Sequence, residues 1–220
     1  MIEVAKTAGF CFGVKRAVEL AEKLSQTEKQ IYCYGEIIHN KHEISRLETM
    51  SIKTAYNIDD IKDGSTVIIR AHGVPKQIYD IFNKKNCKIA DATCPFVCKI
   101  HRIVQKEYSE NRHILILGSA GHPEVLGISG WCKNAIVCED LDAIKTAFKD
   151  GFLSSDMPLS VVGQTTLNRN IWDISVNFLK KQCTNIKIFD TICNATDERQ
   201  AEARLLAGKS DCIIVIGDKK

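Results

Sequence analysis

Ten cysteines stand in a chain of 220 residues, and three of them share one setting. Cys11 closes the run Gly9-Phe10-Cys11, Cys94 closes Asp91-Ala92-Thr93-Cys94, and Cys193 closes Asp190-Thr191-Ile192-Cys193. Each ends a short lead-in and is followed by a helix-like or partly charged segment. About twenty residues on from each, a strand-like apolar run begins, at Ile31, Ile114 and Ile213. A glycine follows at +24 in all three copies: Gly35, Gly118 and Gly217. At +28 the first two copies carry His39 and His122, and in the third this offset falls at 221, one position past Lys220. A looser parallel links Arg70-Ala71-His72-Gly73 with Gly163-Gln164-Thr165-Thr166. Repeats of this kind announce an architecture before any single element does.

Three equivalent thiols with no fourth suit a cubane iron–sulfur cluster with three irons held by protein and one left open. Such an iron can act as a Lewis acid, and the cluster can pass electrons. The other seven cysteines show no such placement. Cys33, Cys132, Cys138 and Cys212 lie in or beside apolar runs, and Cys87, Cys98 and Cys183 sit on helix-like segments or at their ends, as packing or surface thiols do.

A second set of groups sits in the polar loops after the strands: Gly35–Asn40, Arg70–Pro75, Gly118–Gly127 and Gly163–Asn168. They supply His39, His72 and His122 and the pair Thr165-Thr166. Imidazole and hydroxyl donors beside helix N-termini suit an anion such as phosphate. Glu124 is the one carboxylate in its loop, and near a cluster and an anion it could have a raised pKa and donate protons.

Such groups need a frame. Strands are expected at Ile31–Tyr34, Thr66–Ile69, Ile114–Leu117, Leu159–Val162, Ile186–Ile188 and Ile213–Ile216, alternating with helices over Val14–Leu24, Ile78–Phe82, Val97–Tyr108, Leu141–Phe148 and Ile171–Leu179. The alternation predicts an α/β fold with mainly parallel sheets. With the threefold repeat it predicts a three-lobed pseudo-threefold clover around a central cluster. Residues 1–13 would be a lead-in belonging with the third lobe, 14–95 the first lobe, 96–190 the second, and 191–220 the start of an incomplete third.

Composition bounds the rest. An apolar fraction of 45% and a charged fraction of 26% are those of a globular protein, and a net charge of +3 is too small to argue for nucleic acid. No apolar run is long enough for a signal peptide or a membrane span, which points to a reducing cytoplasm and to cysteines free of disulfides.

The runs GFCFGVKRAV, EIIHN, AHGV, DATCP, GHPEVLG, QTTL and DTICNAT, in this order, resemble the motif series of the 4-hydroxy-3-methylbut-2-enyl diphosphate reductases. The resemblance implies that Cys11, Cys94 and Cys193 ligate one [4Fe–4S] cluster with an open fourth iron. It implies that His39, His72 and His122 line the pocket for a small allylic diphosphate and that Glu124 relays protons to the leaving hydroxyl. Thr165 and Thr166 would lie beside the substrate, Thr165 nearer the hydroxyl end. The implied reaction is a two-electron reductive dehydroxylation yielding isopentenyl or dimethylallyl diphosphate, with ferredoxin or flavodoxin as electron donor. A Ser-Ser-Asn motif expected to grip the diphosphate would start at 221, so the chain reads as a truncated protein.

Two rivals are a dehydratase-type cluster enzyme such as quinolinate synthase and a non-catalytic zinc- or cluster-binding protein that pairs Cys94 with Cys98. The histidine-rich loops and GHPEVLG disfavour the first, and the second makes Cys98 essential.

Overall fold

The computed structural model describes residues 2–217. In chain order the elements are α1 (Phe12–Thr27), β1 (Ile31–Tyr34), α2 (Lys41–Thr49), β2 (Ile52–Ala55), β3 (Thr66–Ile69), α3 (Lys76–Lys84), β4 (Lys88–Asp91), α4 (Pro95–Ser109), β5 (His113–Leu117), α5 (Pro123–Ser129), β6 (Ile136–Cys138), α6 (Leu141–Lys149), β7 (Leu159–Gly163), α7 (Arg169–Gln182), β8 (Ile186–Phe189) and α8 (Asn194–Ala207). They divide into two compact units. One holds the residues up to His72, Ile78–Cys94 and those from Asn194 on; the other holds Gly73–Gln77 and Pro95–Cys193.

The first unit has a parallel sheet in the order β2-β1-β3-β4, with Ile31 opposite both Ile52 and Thr66. Parallel strands need crossovers, and helices supply them. Burial of Ala17, Val18 and Ala21 sets one face of α1 among Ile31, Cys33, Ile38 and Ile68. Asn40 caps α2 by accepting the Glu43 N–H at 3.0 Å.

The second unit repeats the order as β6-β5-β7-β8. β5 is buried on both faces, as a strand flanked by helices must be. Ile114 and Ile116 pack with Ile100, Val104, Val125 and Ile128 of α4 and α5, while Leu115 and Leu117 pack with Ile144, Trp172, Val176 and Leu179 of α6 and α7. At the N-terminal end of this sheet a buried network fixes the strand starts. Ser160 Oγ donates to Glu107 at 2.8 Å, and Arg112 donates to Ser160 Oγ at 2.8 Å and to the Asn185 carbonyl at 3.0 Å.

The α/β class and its parallel sheets are as expected. Five of the six expected strands form. The exception is Ile213–Ile216, which forms no strand and is exposed, with Ile216 93% accessible; among the described residues no strand offers it a ladder partner. Strands β2, β4 and β6 and helices α2, α5 and α8 come in addition. Met1 and residues 218–220, the ends of the first and last expected segments, lie outside the described residues.

Candidate functional site

Cys11 is the N-cap of α1, Cys94 immediately precedes α4, and Cys193 immediately precedes α8. All three are half-buried, and Cys11 makes no side-chain capping bond. Gly13 makes room for one of them: a Cβ there would lie 2.5 Å from Cys94 Sγ. Burial governs three of the other thiols. It pushes the Cys33 thiol up to about 12 against a small opposing effect of Arg70, and Cys132 and Cys138 up to about 11. Those side chains stay neutral and serve as small apolar residues, as the sequence suggested. Cys98 lies within the first turns of α4.

Within the first unit the loops after β1 and β3 bring His39 and His72 together, with ring centroids 4.3 Å apart. Glu36 stands beside them, its carboxylate 3.4 Å from His39 Nδ1 and 3.4 Å from the Tyr56 hydroxyl. Sequence reasoning missed Glu36, which nothing but its place in Glu36-Ile37-Ile38-His39 could have signalled.

Within the second unit Glu124 and Thr165 meet. Glu124 is 3% exposed in the first turn of α5, and it accepts the Thr165 N–H at 2.6 Å and the Thr165 hydroxyl at 2.7 Å. Burial raises its pKa above the ordinary carboxylate value, and the two bonds from Thr165 pull against that rise. His122 caps α5, its Nδ1 accepting the Glu124 N–H at 3.1 Å. A backbone N–H can only donate, so Nδ1 carries no proton and Nε2–H is the donor. Gln164, also missed from sequence, is 7% exposed. It accepts the Ser119 N–H at 3.2 Å and donates to Thr166 Oγ1 at 2.8 Å.

The two units build these loops alike. Gly35 donates to Ala55 O one residue past β1, and Gly118 donates to Cys138 O one residue past β5. A Cβ on Gly35 would strike Arg70, and one on Gly118 would strike Gln164. The Cys94 N–H donates to Ala71 O at 2.9 Å, and the Cys193 N–H to Thr165 O at 2.8 Å. Arg70, Ala71 and His72 therefore correspond to Gln164, Thr165 and Thr166. The looser sequence parallel was right in kind and one residue out of register.

A family model described as "LytB protein" matches residues 2–220. The chain belongs to the LytB protein family. A relative from Clostridioides difficile (strain 630), a 4-hydroxy-3-methylbut-2-enyl diphosphate reductase, is 42% identical over 99% of this chain and 77% of its own length. Among solved structures, an (E)-4-hydroxy-3-methyl-but-2-enyl diphosphate reductase described as the terminal enzyme of the non-mevalonate pathway is 37% identical. Its TM-score is 0.78, over 96% of this chain and 74% of that one. The Plasmodium falciparum E-1-hydroxy-2-methyl-but-2-enyl-4-diphosphate reductase is 32% identical with a TM-score of 0.85, over 91% of this chain and 63% of that one. The family expected from the motif series is thus the family found. Among the described residues, no three His, Cys, Asp or Glu side chains are gathered to hold a metal ion, and no helix is long and apolar enough to cross a membrane.

Proposed function

We propose that this LytB protein reduces 4-hydroxy-3-methylbut-2-enyl diphosphate, taking up two electrons and two protons to release water and isopentenyl or dimethylallyl diphosphate. The observation that carries the reading is the buried Glu124 carboxyl held by Thr165. Burial raises its pKa above the ordinary carboxylate value and so favours the protonated form, the form an acid protonating a leaving hydroxyl needs.

The donor chemistry of Cys11, Cys94 and Cys193 fits one [4Fe–4S] cluster with three protein ligands. The thiols are half-buried and set at helix N-termini, and Gly13 leaves space around Cys94. When bound, the cluster would supply the electrons and a Lewis-acidic iron. The protein's own groups do the rest. His39, His72 and His122 bind the diphosphate as donors, with Thr166. Thr165 orients the hydroxyl end, and Glu124 moves the proton. Ferredoxin or flavodoxin delivers the electrons, in the cytoplasm.

The proposed assembly is a pseudo-threefold clover: residues 14–95 and 96–190 form two lobes, and 191–220 with the lead-in 1–13 contribute to a third. The repeated strand order supports the first two. Bonds from the Lys6 and Thr7 N–H groups to Glu202, and from Arg199 to Gly9 O, support grouping the lead-in with α8.

The test is anaerobic reconstitution with iron and sulfide, followed by turnover of the hydroxy-diphosphate with dithionite and viologen. The intact protein should turn over, and Cys11→Ser, Cys94→Ser and Cys193→Ser should each lose the cluster spectrum while Cys98→Ser keeps it. A normal cluster in Cys11→Ser or Cys193→Ser would overturn the ligand set, and a cluster-loaded protein inert to the substrate would overturn the activity.

A further inference from the structure

Gln164 occupies a position from which one side chain sets the polarity of another. Its backbone N–H donates to Leu117 O at 2.8 Å, extending the β5–β7 ladder by one bond. Its side-chain oxygen faces the Ser119 N–H and its side-chain nitrogen faces Thr166 Oγ1. An amide can point either way, but a backbone N–H is a donor only, so the atom near Ser119 must be the oxygen. The nitrogen is then forced onto Thr166, whose hydroxyl must accept. A hydroxyl that accepts from its buried neighbour directs its own proton elsewhere. Thr166 is exposed, which leaves that proton available to a group on the open side of the loop. The adjacent Thr165 does the reverse and spends its proton inward on Glu124.

We propose that Gln164 is a positioning residue that makes the Thr166 hydroxyl an obligate donor toward an anionic oxygen of the ligand. The inference rests on the reading that Thr166 meets the substrate diphosphate. The glycine beside Gln164 is part of the device, since a Cβ on Gly118 would lie 2.8 Å from Gln164 Cβ and 2.9 Å from its Oε1. The amide is thereby held between the two loops with its ends fixed.

Two near-isosteric substitutions separate polarity from packing. Gln164→Glu keeps the acceptor for Ser119 but puts an acceptor opposite Thr166, which must then turn its proton inward. Gln164→Met removes both bonds and leaves Thr166 free to donate outward. Binding of 4-hydroxy-3-methylbut-2-enyl diphosphate to the cluster-reconstituted protein without reductant is measured by calorimetry. Affinity should fall in the order Gln, Met, Glu, with the Glu variant weaker than wild type by about tenfold or more.

Part of the Glu effect is repulsion of an anion, and Thr166→Val isolates it. In that background the Glu substitution should cost several-fold less than in wild type. An equal cost in both backgrounds, or a Met variant as weak as the Glu variant, overturns the role assigned to Gln164. If Thr166→Val alone leaves affinity unchanged, the placement of Thr166 at the ligand is what fails. Melting temperatures of each variant confirm that folded protein is compared.

Discussion

Thr165 holds Glu124 by both carboxylate oxygens, its N–H on one and its hydroxyl on the other. In the folded protein this carboxyl has a raised pKa because burial outweighs those two bonds. Folding therefore favours the protonated form. The stability this gives is complete below the ordinary value of 4.5 and is lost as pH rises through the folded pKa. Glu124→Gln keeps the shape and cannot ionise. Denaturant midpoints measured between about pH 5 and pH 8 should decline more steeply in wild type than in the variant. The variant should also lose about 100-fold or more in turnover. Parallel midpoint curves would count against the raised pKa.

Gly13→Ala should separate folding from cofactor retention. Alanine is the better helix former by about 1 kcal/mol, so α1 gains locally. Its methyl would lie 2.5 Å from Cys94 Sγ, and the thiol has to rotate away. The expected outcome is a folded protein, by circular dichroism, that retains markedly less iron after reconstitution.

His122→Asn should show that capping and donation are separable duties. Asparagine caps helices well, so thermal stability should stay within about 0.5 kcal/mol of wild type, whereas His122→Ala should cost about 1 kcal/mol. Both lose the Nε2–H donor, and both should bind the diphosphate substrate several-fold more weakly.

Glu107→Ala should be among the most destabilising substitutions far from the loops. It leaves Arg112, 8% exposed, without its carboxylate, and Ser160 and Lys187 lose a partner as well. Breaking a buried ion pair from one side costs about 3–5 kcal/mol. Urea unfolding should register the loss, while substrate affinity of the remaining folded protein should not change.

The strands that pack on two helical layers were legible because they are apolar at every position: Val67-Ile68-Ile69 and Ile114-Leu115-Ile116-Leu117 are fully buried. Of the strands missed, β6 is apolar, Ile136-Val137-Cys138, but only three residues long at a sheet edge, and the other two are not of that kind. β2 runs Ile-Lys-Thr-Ala at a sheet edge, and β4 runs Lys-Ile-Ala-Asp with its ends exposed, so neither shows an apolar run. Helix α8 has no buried residue, and no apolar stripe could have revealed it. Ile213–Ile216 failed in the opposite sense, since its composition says strand while pairing is a property of neighbours.

Of the candidate site, Cys11, Cys94, Cys193, His39 and His122 were singled out through spacing and His72 through its place in a loop after a strand, because a repeated offset survives even when the elements between are misjudged. Gln164 and Glu36 escaped for a different reason. Their roles lie in which atom faces which partner, and that information appears only when the loops after β5 and β7, or around β1, are folded side by side.

The order β2-β1-β3-β4 recurs as β6-β5-β7-β8. The two segments share a strand order, a glycine at the same offset and a matching cysteine bond, as two copies of one unit would. His72 in one copy and Thr166 in the other then occupy equivalent positions. The frame is common to both copies, and what distinguishes them is the chemistry their loop residues offer.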